Sequence, residues 1–295
     1  MLPVIPFPAI DPNAIVIPIP FADLSIPIRW YALAYIAGIL LGWAYARRLV
    51  RASGLWGTRP RPTVTDIDDL VTWVTLGIVV GGRLGYILVY DLGVYLADPI
   101  KMVRINDGGM AFHGGLIGVI IAVVAYCHVK RISFVAVLDV MAAVVPIGLF
   151  FGRLANFVNG ELWGRPSDVP WAIVFPDPRA GDIPRHPSQL YQAAMEGVLL
   201  FVIVGIAVRM GALRRPGLAL GLFGGGYGVM RIIGETFRMP DQQLGFFFGD
   251  LTMGMMLSGP MIVIGAIVVW CALARPAYPD APQPDADARA KPETP

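Results

Sequence analysis

The sequence predicts an all-α integral membrane protein: seven transmembrane helices with small extracytoplasmic loop elements. Three observations predict it. Of 295 residues, 56% are hydrophobic and only 15% charged, where a soluble domain carries about 25% charged residues. Seven apolar stretches are long enough to cross a bilayer. Basic residues crowd alternate loops, as the positive-inside rule requires of a multi-pass chain.

The N-terminal segment, 1–29, holds many prolines and lacks a basic region before an apolar core, so it does not read as a cleavable signal peptide. The spans are expected at 30–47, 70–90, 115–129, 135–151, 190–208, 217–235 and 252–273. The second, sixth and seventh are rich in glycine, which membrane helices use for close packing. Arg47, Arg48, Arg51, Arg59 and Arg61 fill the first loop, Lys130 and Arg131 the third, and Arg209, Arg214 and Arg215 the fifth; the tail opens with Arg275. The intervening loops mix signs, with Lys101 and Arg104 beside Asp98 and Asp107. The first, third and fifth loops and the C-terminus are therefore assigned to the cytoplasm and the N-terminus to the outside, which needs an odd number of spans.

Three regions follow: an extracytoplasmic segment (1–29), a seven-helix membrane catalytic domain (30–274) and a disordered cytoplasmic tail (275–295). The tail is rich in Pro, Ala and Asp. Cys127 and Cys271 form no disulfide framework or metal spacing and read as small apolar core residues. Net charge is +2, so nothing in the global charge points to nucleic acid.

Chemistry concentrates where spans meet the outer face. Gly152-Arg153-Leu154-Ala155-Asn156-Phe157-Val158-Asn159-Gly160-Glu161-Leu162-Trp163-Gly164-Arg165 runs straight out of the fourth span. Charged and amide groups at membrane depth are costly unless paired. Snorkelling would explain Arg153, but not Asn156, Asn159 and Glu161 after it. In the sixth span, Tyr227, Arg231, Glu235 and Arg238 are spaced four, four and three, hence on one helix face. Arg231 and Glu235 can pair there. Gly108-Gly109-Met110-Ala111-Phe112-His113-Gly114-Gly115 precedes the third span, and its flanking glycines favour a functional over a structural histidine.

Gly81-Gly82-Arg83-Leu84-Gly85-Tyr86 echoes the Gly-Arg-Leu of the fourth span, weak grounds for a repeat. Arg29-Trp30-Tyr31 opens span one as an interfacial belt. Pro184-Arg185-His186-Pro187-Ser188-Gln189-Leu190-Tyr191 leads into span five, with Ser188 expected to cap the helix and Glu196 inside the span. No P-loop, Gly-x-Ser-x-Gly or His-Glu-x-x-His motif is present. Embedded arginines suit phosphate oxygens, and the abundant phosphate in a membrane is a phospholipid headgroup.

Taken together these motifs resemble the prolipoprotein diacylglyceryl transferase family, in the right order over roughly residues 29–265. Ala111 departs from the serine expected in many members, and the 163–187 segment looks short. The resemblance implies transfer of the diacylglyceryl group of phosphatidylglycerol onto the lipobox cysteine of a preprolipoprotein. A thioether forms and glycerol 1-phosphate leaves, in the bacterial cytoplasmic membrane and without metal or cofactor. It implies His113, Arg153 and Arg231 as catalytic residues. His113 is the candidate base for the thiol; Arg153 and Arg231 are the candidate phosphate clamp. Asn156 would orient the headgroup, Glu161 and Glu235 would fix the arginines, and Tyr31 and Tyr227 would donate hydrogen bonds. Asn159, Gly164 and Arg238 complete the expected substrate-binding set. An arginine-assisted thiolate with His113 as a binding residue is an equal competitor. A phospholipid transporter or scramblase would also use arginines, but such proteins commonly carry inverted repeats and a midplane site.

Overall fold

The computed structural model describes residues 5–19, 24–90, 92–104, 108–240, 247, 249 and 251–280. Asp107, Asp241 and most of the expected tail, 281–295, lie outside them. The main helices are α1 (Trp30–Arg51), α2 (Val64–Val89), α3 (Leu92–Ala97), α4 (Phe112–Lys130), α5 (Phe134–Val158), α6 (Ser188–Arg209), α7 (Leu218–Phe237) and α8 (Met253–Leu273). Short strands are β1 (Ile5–Pro6), β2 (Asn13–Ile19), β3 (Leu24–Arg29) and β4 (Ile173–Val174).

The protein is a multi-pass, all-α membrane protein. Among the described residues six helices, α1, α2, α4, α5, α6 and α8, are long and apolar enough to cross a bilayer. Large apolar side chains such as Leu76, Ile121, Ile203 and Ile264 stand exposed along them, as expected where lipid is the solvent. The seventh expected span is also helical, as α7 with 20 residues. Its glycines and its Arg231 and Glu235 leave it less apolar than the other six.

Several helices outrun the expected spans because polar ends continue the hydrogen-bond ladder beyond the apolar stretch. α2 starts at Val64 rather than 70, held by a capping box in which Thr63 Oγ1 accepts from Asp66 N and the Asp66 carboxylate accepts from Thr63 N. α5 continues to Val158, so Arg153 and Asn156 ride on its last turns. Ser188 does not cap α6: the N-cap is Pro187, and Ser188 Oγ donates to Leu162 O at 2.9 Å.

The chain divides into two compact units. One comprises Arg47–Arg51 and Pro60–Leu138. Here α2 and α4 pack backbone to backbone. A Cβ on Gly85 would stand 2.6 Å from Gly114 Cα, and one on Gly77 2.6 Å from Gly118 O. Glycine is required at such crossings. Arg83, buried on α2, donates to the carbonyls of Lys101, Met102, Arg104, Gly108 and Gly109, with its guanidinium over the Tyr95 ring. The echo of Gly-Arg-Leu is therefore a fastener for the segment before α4, with its charge spent on backbone carbonyls.

The other unit comprises Met1–Ala46, Ala52–Arg59 and Asp139–Pro295. β2 and β3 form an antiparallel ribbon and β1 pairs in parallel with β4. Phe7, Phe157 and Trp163 pack on a small core of Ile173, Phe175 and Ala180. α7 and α8 lie in close contact through Gly221, Gly225 and Gly265. Asp139, fully buried, accepts from Gly217 N and Leu220 N at the start of α7 and from Arg59 at 2.9 Å.

Candidate active site

The second unit assembles an alternating ladder of charge from three helices. On α5, Arg153 donates through Nε and Nη2 to Glu196 Oε2 at 3.1 and 2.9 Å. The other Glu196 oxygen lies 3.6 Å from Arg231 Nη1 on α7. Arg231 Nη2 meets Glu235 Oε1 at 2.7 Å, one helical turn on, and Arg238 Nη1 reaches the same oxygen at 3.3 Å. Thr252 Oγ1, at the N-cap of α8, donates to Glu235 Oε2 at 2.8 Å. Among the described residues, three guanidinium groups thus face two carboxylates.

Burial makes this arrangement matter. Glu196 is fully buried and Glu235 nearly so, while the Arg153 and Arg231 side chains each stay 14% exposed. Buried carboxylates hold the arginines in place, and the arginines keep an edge accessible to an incoming anion. Such preorganised charge in a poorly hydrated site interacts far more strongly than in water.

Local structure explains the aim of each side chain. α6 is π-helical over Ala193–Leu199. The wider turn shifts the register of the helix around Glu196, and π-bulges are frequent at functional sites. Arg231 and Glu235 are neighbours because residues four apart stack on one helix face. Asn156, one turn after Arg153, donates from Nδ2 to Glu161 Oε1 at 2.7 Å. The Arg153 carboxylate is therefore Glu196 and not the expected Glu161. Glu161 orients Asn156 instead.

The remaining expected residues fall into three groups. Tyr31 on α1 lies in electrostatic reach of Arg153 and Glu161, with its hydroxyl 3.2 Å from that of Tyr35. Tyr227 lies in reach of Glu196, Arg231, Arg153 and Glu235, its ring stacked on Phe223. Asn159 and Gly164 are placed differently. Asn159 is exposed at the end of α5. Gly164 bridges to Arg238 and is hemmed by the His186 and Phe237 carbonyls, the latter 2.7 Å from a would-be Cβ. Its role is the close approach of two chain segments, which then aim Arg238. His113 is exposed on the first turn of α4, within the other unit.

Outside the spans, Arg185 stacks on Trp163 at 4.3 Å and donates to Ala180 O and Gly164 O. His186, whose imidazole burial pushes below its ordinary value, packs against Phe237 and Tyr191. Among the described residues no group of acidic, histidine and cysteine side chains could hold a metal ion.

Glu196 and Thr252 were not among the expected site residues. Glu196 had a legible signal, a lone carboxylate in an apolar span that must find a cation. Thr252 had none, because its contact depends on which helices meet.

The family model described as prolipoprotein diacylglyceryl transferase matches residues 18–271. A phosphatidylglycerol–prolipoprotein diacylglyceryl transferase of Methylocella silvestris is 53% identical, over 94% of this chain and 98% of its own. The protein of that name from Nitrobacter winogradskyi is 50% identical over 93% and 92%, and that from Rhodopseudomonas palustris 52% over 89% and 90%.

Proposed function

The chain belongs to the prolipoprotein diacylglyceryl transferase family, and from that premise we propose how its residues carry out the transfer. The enzyme moves the diacylglyceryl group of phosphatidylglycerol to a prolipoprotein. The acceptor is the thiol of the lipobox cysteine. Thiolate is the competent nucleophile, so the S–H proton must leave first, and His113 is the residue proposed to take it. The thiolate attacks the diacylglyceryl carbon that bears the phosphate ester. A C–S bond forms as the C–O bond breaks, and glycerol 1-phosphate departs with the bonding pair.

Negative charge on the phosphate grows from one to two as the ester breaks. Arg153 and Arg231 receive it, held by Glu196 and Glu235. The observation that carries this reading is the pair of partly accessible guanidinium groups, Arg153 and Arg231, held on either side of one buried carboxylate. Asn156, oriented by Glu161, and the hydroxyls of Tyr31 and Tyr227 flank the phosphate. Gly164 and Arg238 support the rim, and Asn159 faces the incoming substrate. The site opens outward from the bacterial cytoplasmic membrane, with α7 as the seventh span, the N-terminus outside and the C-terminus in the cytoplasm.

The test uses purified protein, phosphatidylglycerol labelled in its headgroup glycerol, and a lipobox peptide. Labelled glycerol phosphate and thioether should appear in equal amounts and only with both substrates. Full turnover by Arg153→Ala or Arg231→Ala would remove the clamp from the mechanism.

A further inference from the structure

Gln192 ends the α-helical turn Ser188–Gln192 and is fully buried. Neither its Nε2 nor its Oε1 has a hydrogen-bond partner among the described residues. A buried amide with both ends unmet is costly, and native proteins nearly always satisfy such groups. Gln189, one turn earlier on the same helix, has at least its donor met: Nε2 donates to Glu161 O at 2.6 Å, while its Oε1 has no partner among the described residues.

The neighbourhood of Gln192 is the arginine ladder. Its side chain lies across Gly234, 3.1 to 3.3 Å from where a Cβ would stand. Gly234 adjoins Glu235 and follows Arg231 by three residues. Glu196, four residues on, faces Arg231 Nη1 through Oε1 at 3.6 Å. The unmet donor and acceptor of Gln192 therefore lie next to the phosphate clamp.

We propose that Gln192 is a specificity-determining residue that grips the vicinal diol of the phosphatidylglycerol headgroup, with Glu196 Oε1 as a second acceptor. The assignment rests on the phosphate reading of the clamp. A primary amide presents a donor and an acceptor side by side. One hydroxyl oxygen of the diol accepts from Nε2 while the other hydroxyl donates to Oε1. Arg231 would hold the phosphate on the adjoining turn. An apolar headgroup would leave the amide empty. Sites built around a substrate hydroxyl reject analogues lacking it far more strongly than apolar pockets reject size.

The experiment compares phosphatidylglycerol with phosphatidylpropanol, which keeps the phosphodiester and loses the diol. Wild-type protein should favour phosphatidylglycerol in kcat/KM by at least tenfold. Gln192→Leu and Gln192→Met should bring that preference near unity, with the rate on phosphatidylpropanol held within about twofold. Both variants remove unmet buried polar atoms, so the melting temperature of the lipid-free protein should not fall. Retained preference in a folded variant would overturn the proposal and assign the amide to buried water. Equal use of the two lipids by the wild type would overturn it too, whether or not the variants fold. Failure of the wild type on both lipids would instead sink the underlying reading of the clamp.

Discussion

Arg153 and Glu196, 43 residues apart in sequence, meet through two N–H···O bonds on a single carboxylate oxygen. The carboxylate also faces Arg231, so one buried anion sets the spacing of both clamp arginines. Glu196→Gln keeps the shape but replaces one acceptor oxygen by an NH2 donor, placing an amide N–H against a guanidinium. Turnover should fall by about 10²-fold, the scale of removing a preorganised electrostatic contact. Lipid affinity should fall less, because the arginines remain. The check is the split between kcat and KM; unchanged kcat would make Glu196 dispensable for aiming the arginines.

Arg153→Lys should be nearly as damaging as Arg153→Ala. The fork to Glu196 uses Nε and Nη2, leaving the remaining edge for phosphate. Lysine is a point charge that cannot serve both partners with a planar geometry. The expected loss in kcat/KM is about 10²-fold or more, measured on folded protein. Near wild-type activity would take Arg153 out of the clamp.

Arg231→Ala and Glu235→Ala should fail in different ways. Without Arg231, Glu235 keeps Arg238 and the Thr252 hydroxyl, so the fold survives while the phosphate loses a contact. Without Glu235, two arginines lose their shared anion, and breaking a buried pair costs about 3–5 kcal/mol. Thermal unfolding should rank Glu235→Ala as the less stable, and turnover per folded molecule should rank Arg231→Ala as the less active. The reverse order in either measurement would contradict the ladder as described.

Much of this architecture is legible from pattern alone. Apolar length locates the helices, and the four-residue spacing of Arg231 and Glu235 predicts their pair because helix geometry is local. The carboxylate partner of Arg153 is not legible: Glu196 and Glu161 both lie at a distance in sequence, and only the meeting of α5 with the π-helical part of α6 chooses between them. Gly164 illustrates a different blindness. A glycine beside a polar motif reads as a ligand contact, but that it also lies against the His186 and Phe237 carbonyls depends on which chain segments meet. Arg83 reads as a second Arg153 until the backbone carbonyls around it come into view.

Asp139→Asn should destabilise the protein without touching the chemistry. The carboxylate caps α7 through Gly217 N and Leu220 N and pairs with Arg59, whose other contacts are Leu213 O and the Trp56 ring. Asparagine can satisfy part of the cap but strands a buried guanidinium. The expected loss is about 3–5 kcal/mol. The check is thermal unfolding in detergent, with activity per folded molecule unchanged. A melting temperature equal to wild type would show that the pair is not holding the start of α7.

Ala111→Ser should stabilise the start of α4. Ala111 is the N-cap, with φ −103° and ψ 127°, and has no side chain to satisfy the first N–H groups of the helix. Its own N–H is already used, donating to Gly82 O at 2.9 Å, and its carbonyl accepts from Gly115 N at 3.0 Å. The backbone is thus already in the extended conformation that a capping serine adopts, and only the hydroxyl is missing. Serine in place of alanine at an N-cap is worth about 1 kcal/mol. The gain should appear as slower hydrogen exchange at residues 113 and 114, with a raised unfolding midpoint. His113 lies two residues on, so the same variant also reports on chemistry. If this turn positions the histidine, firmer capping should raise kcat at unchanged KM for the lipid. A serine variant with neither greater protection nor altered midpoint would show that the exposed N–H groups are already satisfied.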